Sequence, residues 1–218
     1  SIGLIMVLSA SSPSALSESG NSYSYFSKQL VFAILGIIAM LFISKIDYRF
    51  YQKFYKQAWW VSLILLALVL IAGRTINGAK RWIYVTETLS FQPSEAVKFL
   101  MIIFYAGILV KNRDNLDKYG KGLVKHMLFL APIILLLLLE PHLSASVVII
   151  GICCIMKIMA GCKFMHFAAT AGTVGIPALI ALIVLEPYRL QRVTTFLDPW
   201  KDATGDGWQV IQSLYAIG

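Results

Sequence analysis

Charged side chains are scarce in this chain. Of its 218 residues only 14% are Asp, Glu, Lys or Arg and 58% are hydrophobic, against about 25% and about 45–50% in an ordinary soluble domain. That balance excludes a single water-soluble domain. Cysteine is nearly absent. Cys153 and Cys154 are neighbours, and Cys162 lies beside the same apolar run, a spacing unlike paired metal-ligand knuckles. Neither a disulfide framework nor a zinc site is implied. Also lacking are a Gly-rich phosphate loop after a strand, a Ser, His and Asp set that assembles into a triad, and any internal repeat. Acids are few as well: 11 Asp and Glu stand against 19 Lys and Arg, a formal charge of +8. The cations lie in small groups between apolar runs rather than in one basic stripe, so membrane topology explains the excess better than nucleic acid does.

What is present is a series of apolar runs, approximately Ser1–Ala10, Leu30–Ile43, Ala58–Ala72, Ala96–Val110, Met127–Leu139, Leu143–Ala160 and Phe164–Leu185. Several are shorter than the ~20 residues that cross a bilayer comfortably. Flanking Trp59 and Trp60, which suit the water interface, and snorkelling Lys or Arg stems supply the missing length. The pattern predicts an all-α fold, a polytopic transmembrane helix bundle. Placing alternate loops on alternate sides puts the whole surplus of positive charge on the side of Lys45, Lys111 and Lys163, and leaves the other side neutral. Positive loops face the cytoplasm, so the N-terminus is expected inside and the residues after about 185 outside. The Ser-rich stretch 10–29 reads as a solvated loop. Pro132 and Pro177 fall inside spans and are expected to kink them.

The polar residues that could carry chemistry collect on the outer side. Lys80, Arg81 and Trp82 put two cations beside an aromatic at the interface. They read either as lipid-headgroup anchors or as a grip on the phosphates of an amphiphilic substrate, because guanidinium forks match phosphate oxygens. Pro93 and Ser94, after Gln92, fit a helix start. Glu95 and Lys98 follow three apart on one face, either as a carboxylate favoured by the helix dipole with a snorkelling lysine or as a pair inside a polar cavity. Glu140, Pro141 and His142 make a tight outer turn between two apolar helices.

Several motifs in order resemble the SEDS family, the FtsW, RodA and SpoVE proteins of cell division, elongation and sporulation. They are Gly3–Ser12, Asn77–Ile83, Gln92–Lys98, Glu140–Ser144 and the stretch from Arg192 to Gly218 with Asp198, Pro199, Trp200, Gly207, Trp208, Gln209 and Gln212. The last stretch is nearer the FtsW and SpoVE pattern than the RodA one. The resemblance implies about ten transmembrane helices, of which about seven are present here. It also implies a glycosyltransferase that polymerises lipid II into glycan strands at the outer face of the bacterial cytoplasmic membrane, for cell wall biogenesis in division or sporulation. Its implied partners are lipid II, a class B penicillin-binding transpeptidase, and divisome or elongasome proteins. No cofactor is certain, and a divalent cation, Mg or Mn, is left open.

By position, Glu95 and Lys98 would line the central cavity as supporting catalytic residues. Lys80, Arg81, Trp82, Gln92, Ser94 and His142 would border the substrate groove, while Trp200, Gln209 and Gln212 belong to a large outer loop. Two departures matter. His142 stands where many relatives carry Asp, so an acid role at that position is not available. The family's essential aspartate, in a Leu-Pro-Glu-x-x-Thr-Asp-Phe stretch, lies beyond residue 218. Residues 1–218 therefore read as one transmembrane domain of a longer protein, ending within that outer loop and expected to be inactive alone. Two rival readings of the same bundle are a lipid II flippase and a scaffold that recruits the transpeptidase.

Overall fold

The computed structural model describes residues 2–76, 79–84, 90–184, 191, 194–205 and 207–217. Ser1, Asn77, Gly78, Glu87, Leu185, Glu186, Arg189, Arg192, Asp206 and Gly218, which entered the motifs, spans or charge count, lie outside the described residues.

The chain divides into two units, Ser1–Tyr55 and Lys56–Gly218. In the first, α1 (Ile2–Ser19) packs against α2 (Ser24–Ile43), and a short α3 (Tyr48–Lys53) follows, capped by the Asp47 carboxylate accepting from Arg49 N–H. The expected loop over 10–29 is therefore corrected: only the turn at Gly20–Tyr23 separates two helices. The serines that lower helix propensity bond back onto their own helices instead, Ser11 Oγ to Val7 O at 2.6 Å and Ser17 Oγ to Ser14 O at 2.8 Å. No residue of α2 is buried against protein. A helix of such high hydropathy that leaves its apolar side chains largely open suits lipid surroundings.

In the second unit, α4 (Tyr55–Ala72), α5 (Pro93–Lys111), α6 (Lys125–Leu139) and α7 (Leu143–Met159) form the core. Each buries one stripe at helical spacing: Ala58, Ser62, Leu66 and Val69 on α4, Val97, Met101, Phe104, Tyr105 and Ile108 on α5, and Ala145, Ile149, Cys153 and Lys157 on α7. Within lipid the hydrophobic effect does not press helices together, so close packing at small residues and interhelical hydrogen bonds carry the association. Trp59 Nε1 donates to Phe129 O at 2.9 Å, and its ring meets Phe104 and Phe129. Tyr105 Oη donates to His126 O at 2.8 Å, and Lys157 Nζ donates to Leu123 O at 3.1 Å.

Four helical stretches are long and apolar enough to cross a membrane, Ser24–Ile43, Tyr55–Ala72, Pro93–Lys111 and Gly122–Leu139, with shorter apolar helices at Ile2–Ser17 and Leu143–Met159. The fold is thus a multi-pass α-helical membrane bundle. The last apolar run is broken into α8 (Phe164–Thr170), a π-helical turn (Ala171–Gly175) and α9 (Ile176–Val184). The irregularity expected at Pro177 is taken up by that wide turn just before it. At Pro132, α6 runs on from Lys125 to Leu139, after a second π-helical turn at Tyr119–Val124.

Between α4 and α5 lies a small antiparallel sheet that periodicity did not predict, in the order β1 (Arg74–Ile76), β2 (Ala79–Tyr84), β3 (Ser90–Phe91). Its register pairs Arg74 with Trp82, Thr75 with Lys80, Ile83 with Phe91 and Tyr84 with Ser90. Arg81 is consequently the extra residue of a bulge in β2. The chain closes with a 3₁₀ turn (Pro199–Asp202) and α10 (Trp208–Ile217).

The Tyr105 hydroxyl is a clean test of the polar interhelical bonds. Tyr105→Phe keeps the ring against Phe104 and should cost about 1 kcal/mol, seen as a lower melting temperature of the detergent-solubilised protein with its helix content unchanged.

Candidate functional site

The sheet, the start of α5 and the turn between α6 and α7 meet at one end of the second unit. A bulge bends its strand and re-aims the side chain it carries. Here it carries Arg81, whose guanidinium donates to the carbonyl of Pro141. Burial of Arg81 is partial, and its Nε is enclosed with no hydrogen-bond partner.

Proline at the first helical position and an extended Gln92 N-cap start α5. That start aims Gln92 across at the turn: its side-chain amide lies 2.6 Å from His142 Nε2. The other histidine nitrogen, Nδ1, caps α7 by accepting from Ala145 N–H at 3.3 Å. The atom that Gln92 presents to Nε2 is its amide nitrogen, so both ring nitrogens of His142 are engaged, one by α5 and one by α7. Burial, then the Arg81 charge, lowers the His142 pKa, with Glu95 opposing and Lys98 adding to the drop. His142 is therefore a neutral, positioned hydrogen-bonding group. Arg81, Glu95 and Lys98 all lie near enough to act on its charge, so these polar groups form one cluster, called the hollow below. Lys98 Nζ holds the Glu95 carboxylate at 2.7 Å and 2.9 Å, with Lys98 the more enclosed of the two. Ser94 is buried beside them on the first turn of α5, and its Oγ has no partner.

Glu140, which sequence reasoning noted only as a neighbour of His142, is the most enclosed acid of the site at 1% exposure. Its Oε1 has no hydrogen-bond partner. Burial pushes its carboxyl up to about 8, with the nearby Arg81 charge pulling the other way. Three enclosed polar atoms, on Arg81, Ser94 and Glu140, thus face this end of the bundle unsatisfied. Buried polar atoms in folded proteins are paired as a rule, so an arrangement that leaves three unpaired is suited to a polar ligand. Glu95 is paired with Lys98, and among the described residues no group of three or more His, Cys, Asp or Glu is placed to hold a metal ion.

A model of the family described as "Cell cycle protein", FtsW/RodA/SpoVE, matches residues 1–218. The chain belongs to this family. It is 38% identical to the stage V sporulation protein E of Bacillus subtilis over 100% of the chain and 59% of that relative. It is 36% identical to a probable peptidoglycan glycosyltransferase FtsW of Aliivibrio salmonicida, over 99% of the chain and 54% of that relative. The chain thus spans little more than half the length of these curated relatives. Among solved structures it matches a chain described under "Structural coordination of polymerization and crosslinking by a peptidoglycan synthase complex", with a TM-score of 0.72 and 28% identity over 100% of this chain and 65% of the other. It shares its fold with the rod shape determining protein RodA of Thermus thermophilus, with a TM-score of 0.59 and 24% identity over 85% of this chain and 59% of the other.

The other FtsW/RodA/SpoVE-like positions are not all brought together. Lys80 points away from the hollow, its Nζ 3.4 Å from Leu70 O at the carboxyl end of α4, where the helix dipole favours a cation. The bulge re-aims Arg81 away from its strand neighbour, which is why the Lys80 and Arg81 pair divides. Trp82 is 37% exposed. Trp200 packs edge-on against Tyr215, and Gln212 is exposed on α10. Gln209 lines a separate cleft. Among the described residues, no hydrogen bond or ring contact of these last three reaches the hollow.

Because the folded Glu140 pKa lies above that of an unfolded glutamate, the folded state prefers the neutral acid. Its contribution is complete below pH about 4.5 and is lost as pH rises through about 8. Glu140→Gln, neutral at every pH, should therefore melt higher than wild type at pH 8.5 and alike at pH 5, in matched thermal unfolding series.

Proposed function

We propose that the whole protein is a peptidoglycan glycosyltransferase that polymerises lipid II at the outer face of the cytoplasmic membrane. The observation that carries this reading is the polar cluster itself: Arg81, Gln92, Ser94, Glu95, Lys98 and the turn at Glu140–His142 lie together at one end of a membrane bundle, with enclosed polar atoms left unpaired. The relatives named as probable peptidoglycan glycosyltransferases support the same reading. In this topology the N-terminus is cytoplasmic, and the hollow and the residues after about 185 are extracytoplasmic. A class B penicillin-binding transpeptidase is the partner, in keeping with the peptidoglycan synthase complex to which the chain is similar.

In the reaction the acceptor sugar hydroxyl attacks the anomeric carbon of the lipid-linked donor. The bond from that carbon to the diphosphate oxygen breaks, and undecaprenyl diphosphate leaves with the electron pair. Arg81 and Lys98 meet the charge that grows on the departing diphosphate. Glu95 orients Lys98. Gln92, Ser94 and His142 are neutral donors and acceptors for the headgroup. A protonated Glu140 adds no negative charge beside the diphosphate. The hydroxyl proton needs a general base. Glu95 is engaged by Lys98, so the base is assigned to the aspartate that family resemblance places after residue 218, and on this reading residues 1–218 alone form no polymer.

Labelled lipid II in detergent, where no sidedness exists, separates polymerisation from flipping. The full-length protein should form glycan chains. Arg81→Ala should lower the initial rate about 10²-fold or more, and Arg81→Lys should recover only part because the planar fork is lost. Glu95→Gln should cost about tenfold, since Glu95 acts through Lys98. A flippase or a scaffold would form no chains under these conditions.

A further inference from the structure

Outside the hollow, residues 194–205 and the first turn of α10 enclose a cleft of about 400 Å³, lined by Thr195, Phe196, Thr204, Trp208 and Gln209 with Gly205 and Val210. Its chemistry is unlike that of the hollow. None of the described lining residues carries a charge. What lines it instead is two exposed aromatic rings, Phe196 and Trp208, interleaved with two hydroxyls and a primary amide.

The cleft is built rather than incidental. A Cβ at Gly207 would stand 2.1 Å from Pro199 O and 2.7 Å from Asp202 O, and one at Gly205 would stand 2.3 Å from the Asp202 carboxylate. The two glycines let the loop close onto the 3₁₀ turn. That closure is fixed by Gly207 N–H donating to Asp202 O at 3.0 Å and Gly205 N–H donating to the Asp202 carboxylate at 3.1 Å. Buried Ile211 and Pro199 anchor α10 and the turn beneath it, and the Trp200–Tyr215 contact holds their outer faces together. Trp208 is thereby presented on a supported wall while half its surface stays open.

A mixed lining of rigid aromatic faces and uncharged hydrogen-bonding groups fits one class of ligand. A pyranose ring has apolar C–H faces that lie on the negative face of an indole, and an equatorial rim of hydroxyls that hydroxyl and amide side chains satisfy. The volume falls in the range of small-molecule sites. We infer that this cleft is a saccharide-binding site, separate from the diphosphate hollow, in which Trp208 stacks on a sugar ring while Thr195, Thr204 and Gln209 bond its hydroxyl and acylamino groups. The identity of the sugar as an N-acylated amino sugar rests on the glycosyl-transfer reading above. The stacking chemistry does not. Such a site would hold either the growing strand or the sugars of the donor headgroup.

The test uses the full-length protein in detergent micelles and chitotetraose, a soluble tetramer of N-acetylglucosamine, with binding read by saturation-transfer NMR. Wild type and Arg81→Ala should bind it alike, because the hollow is not used. Trp208→Ala should weaken binding about tenfold or more, Trp208→Phe should recover most of it, and Gln209→Ala should weaken it without touching the aromatic wall. No binding by wild type, or equal binding by well-folded Trp208→Ala, overturns the inference. Saccharide binding by a wild-type protein that makes no polymer from lipid II would leave the cleft standing and sink the glycosyl-transfer reading instead. With lipid II as substrate, shorter strands from Trp208→Ala at an unchanged initial rate assign the growing strand, and a raised KM at unchanged strand length assigns the donor headgroup. Unchanged strand length and unchanged KM together overturn the inference.

Discussion

The guanidinium of Arg81 joins the hairpin between α4 and α5 to the turn between α6 and α7, two segments sixty residues apart in the chain. Without that contact neither segment has a reason to keep its polar groups at the same place, because each is a short excursion between helices covered largely by lipid. The bond works through a bulge: the register step between Arg74 and Thr75 leaves Arg81 unpaired in the ladder and free to turn toward Pro141. Gln92 repeats the tie from the other side, through His142. Three elements are thereby held around one hollow at the cost of three polar atoms left without partners.

The same end of the bundle shows how one environment sets different protonation states. Glu95 and Lys98 lie near the rim, where a direct ion pair is compatible with water. Glu140 and His142 lie deeper in the turn, where burial favours the neutral form of each. The result is a site with a net cationic character carried by Arg81 and Lys98 and with neutral donors and acceptors between them. That is the balance a diphosphate headgroup would meet best. The uncharged cleft beside α10 divides the labour differently, with aromatic faces and hydroxyls where the hollow has cations.

At the opposite end of the second unit, polar groups serve packing instead. Lys157 is wholly buried, donates to Leu123 O and lies 5.9 Å from the ring centroids of both Tyr105 and Phe167. Tyr105 in turn donates to His126 O, and Asn112 Nδ2 lies 3.2 Å from His126 Nε2. Each of these groups has a partner, and the unpartnered atom on the neighbouring helix α8 is His166 Nδ1. Burial alone does not mark a functional site.

By itself the amino-acid sequence determined that the chain is a membrane bundle, since runs of this hydropathy cannot be hidden in a soluble core of 218 residues. It also determined where α5 begins, because Pro93 acts through local backbone geometry, although the cap is Gln92 and not Ser94, and it marked Arg81, Glu95 and Lys98 as polar residues beside apolar helices. It misread 10–29, where serine hydroxyls that could have favoured a loop bond back into helices, and it did not show the sheet, whose strands are three, six and two residues long. Tertiary structure alone decided that Lys80 and Arg81 part company, that Glu140 is the enclosed acid, and that Gln209 belongs to a different cleft from Gln92. The physical reason is common to all three. Which way a strand residue faces, how much water a carboxyl keeps and which cavity an amide enters depend on segments far along the chain, and local periodicity carries no information about them.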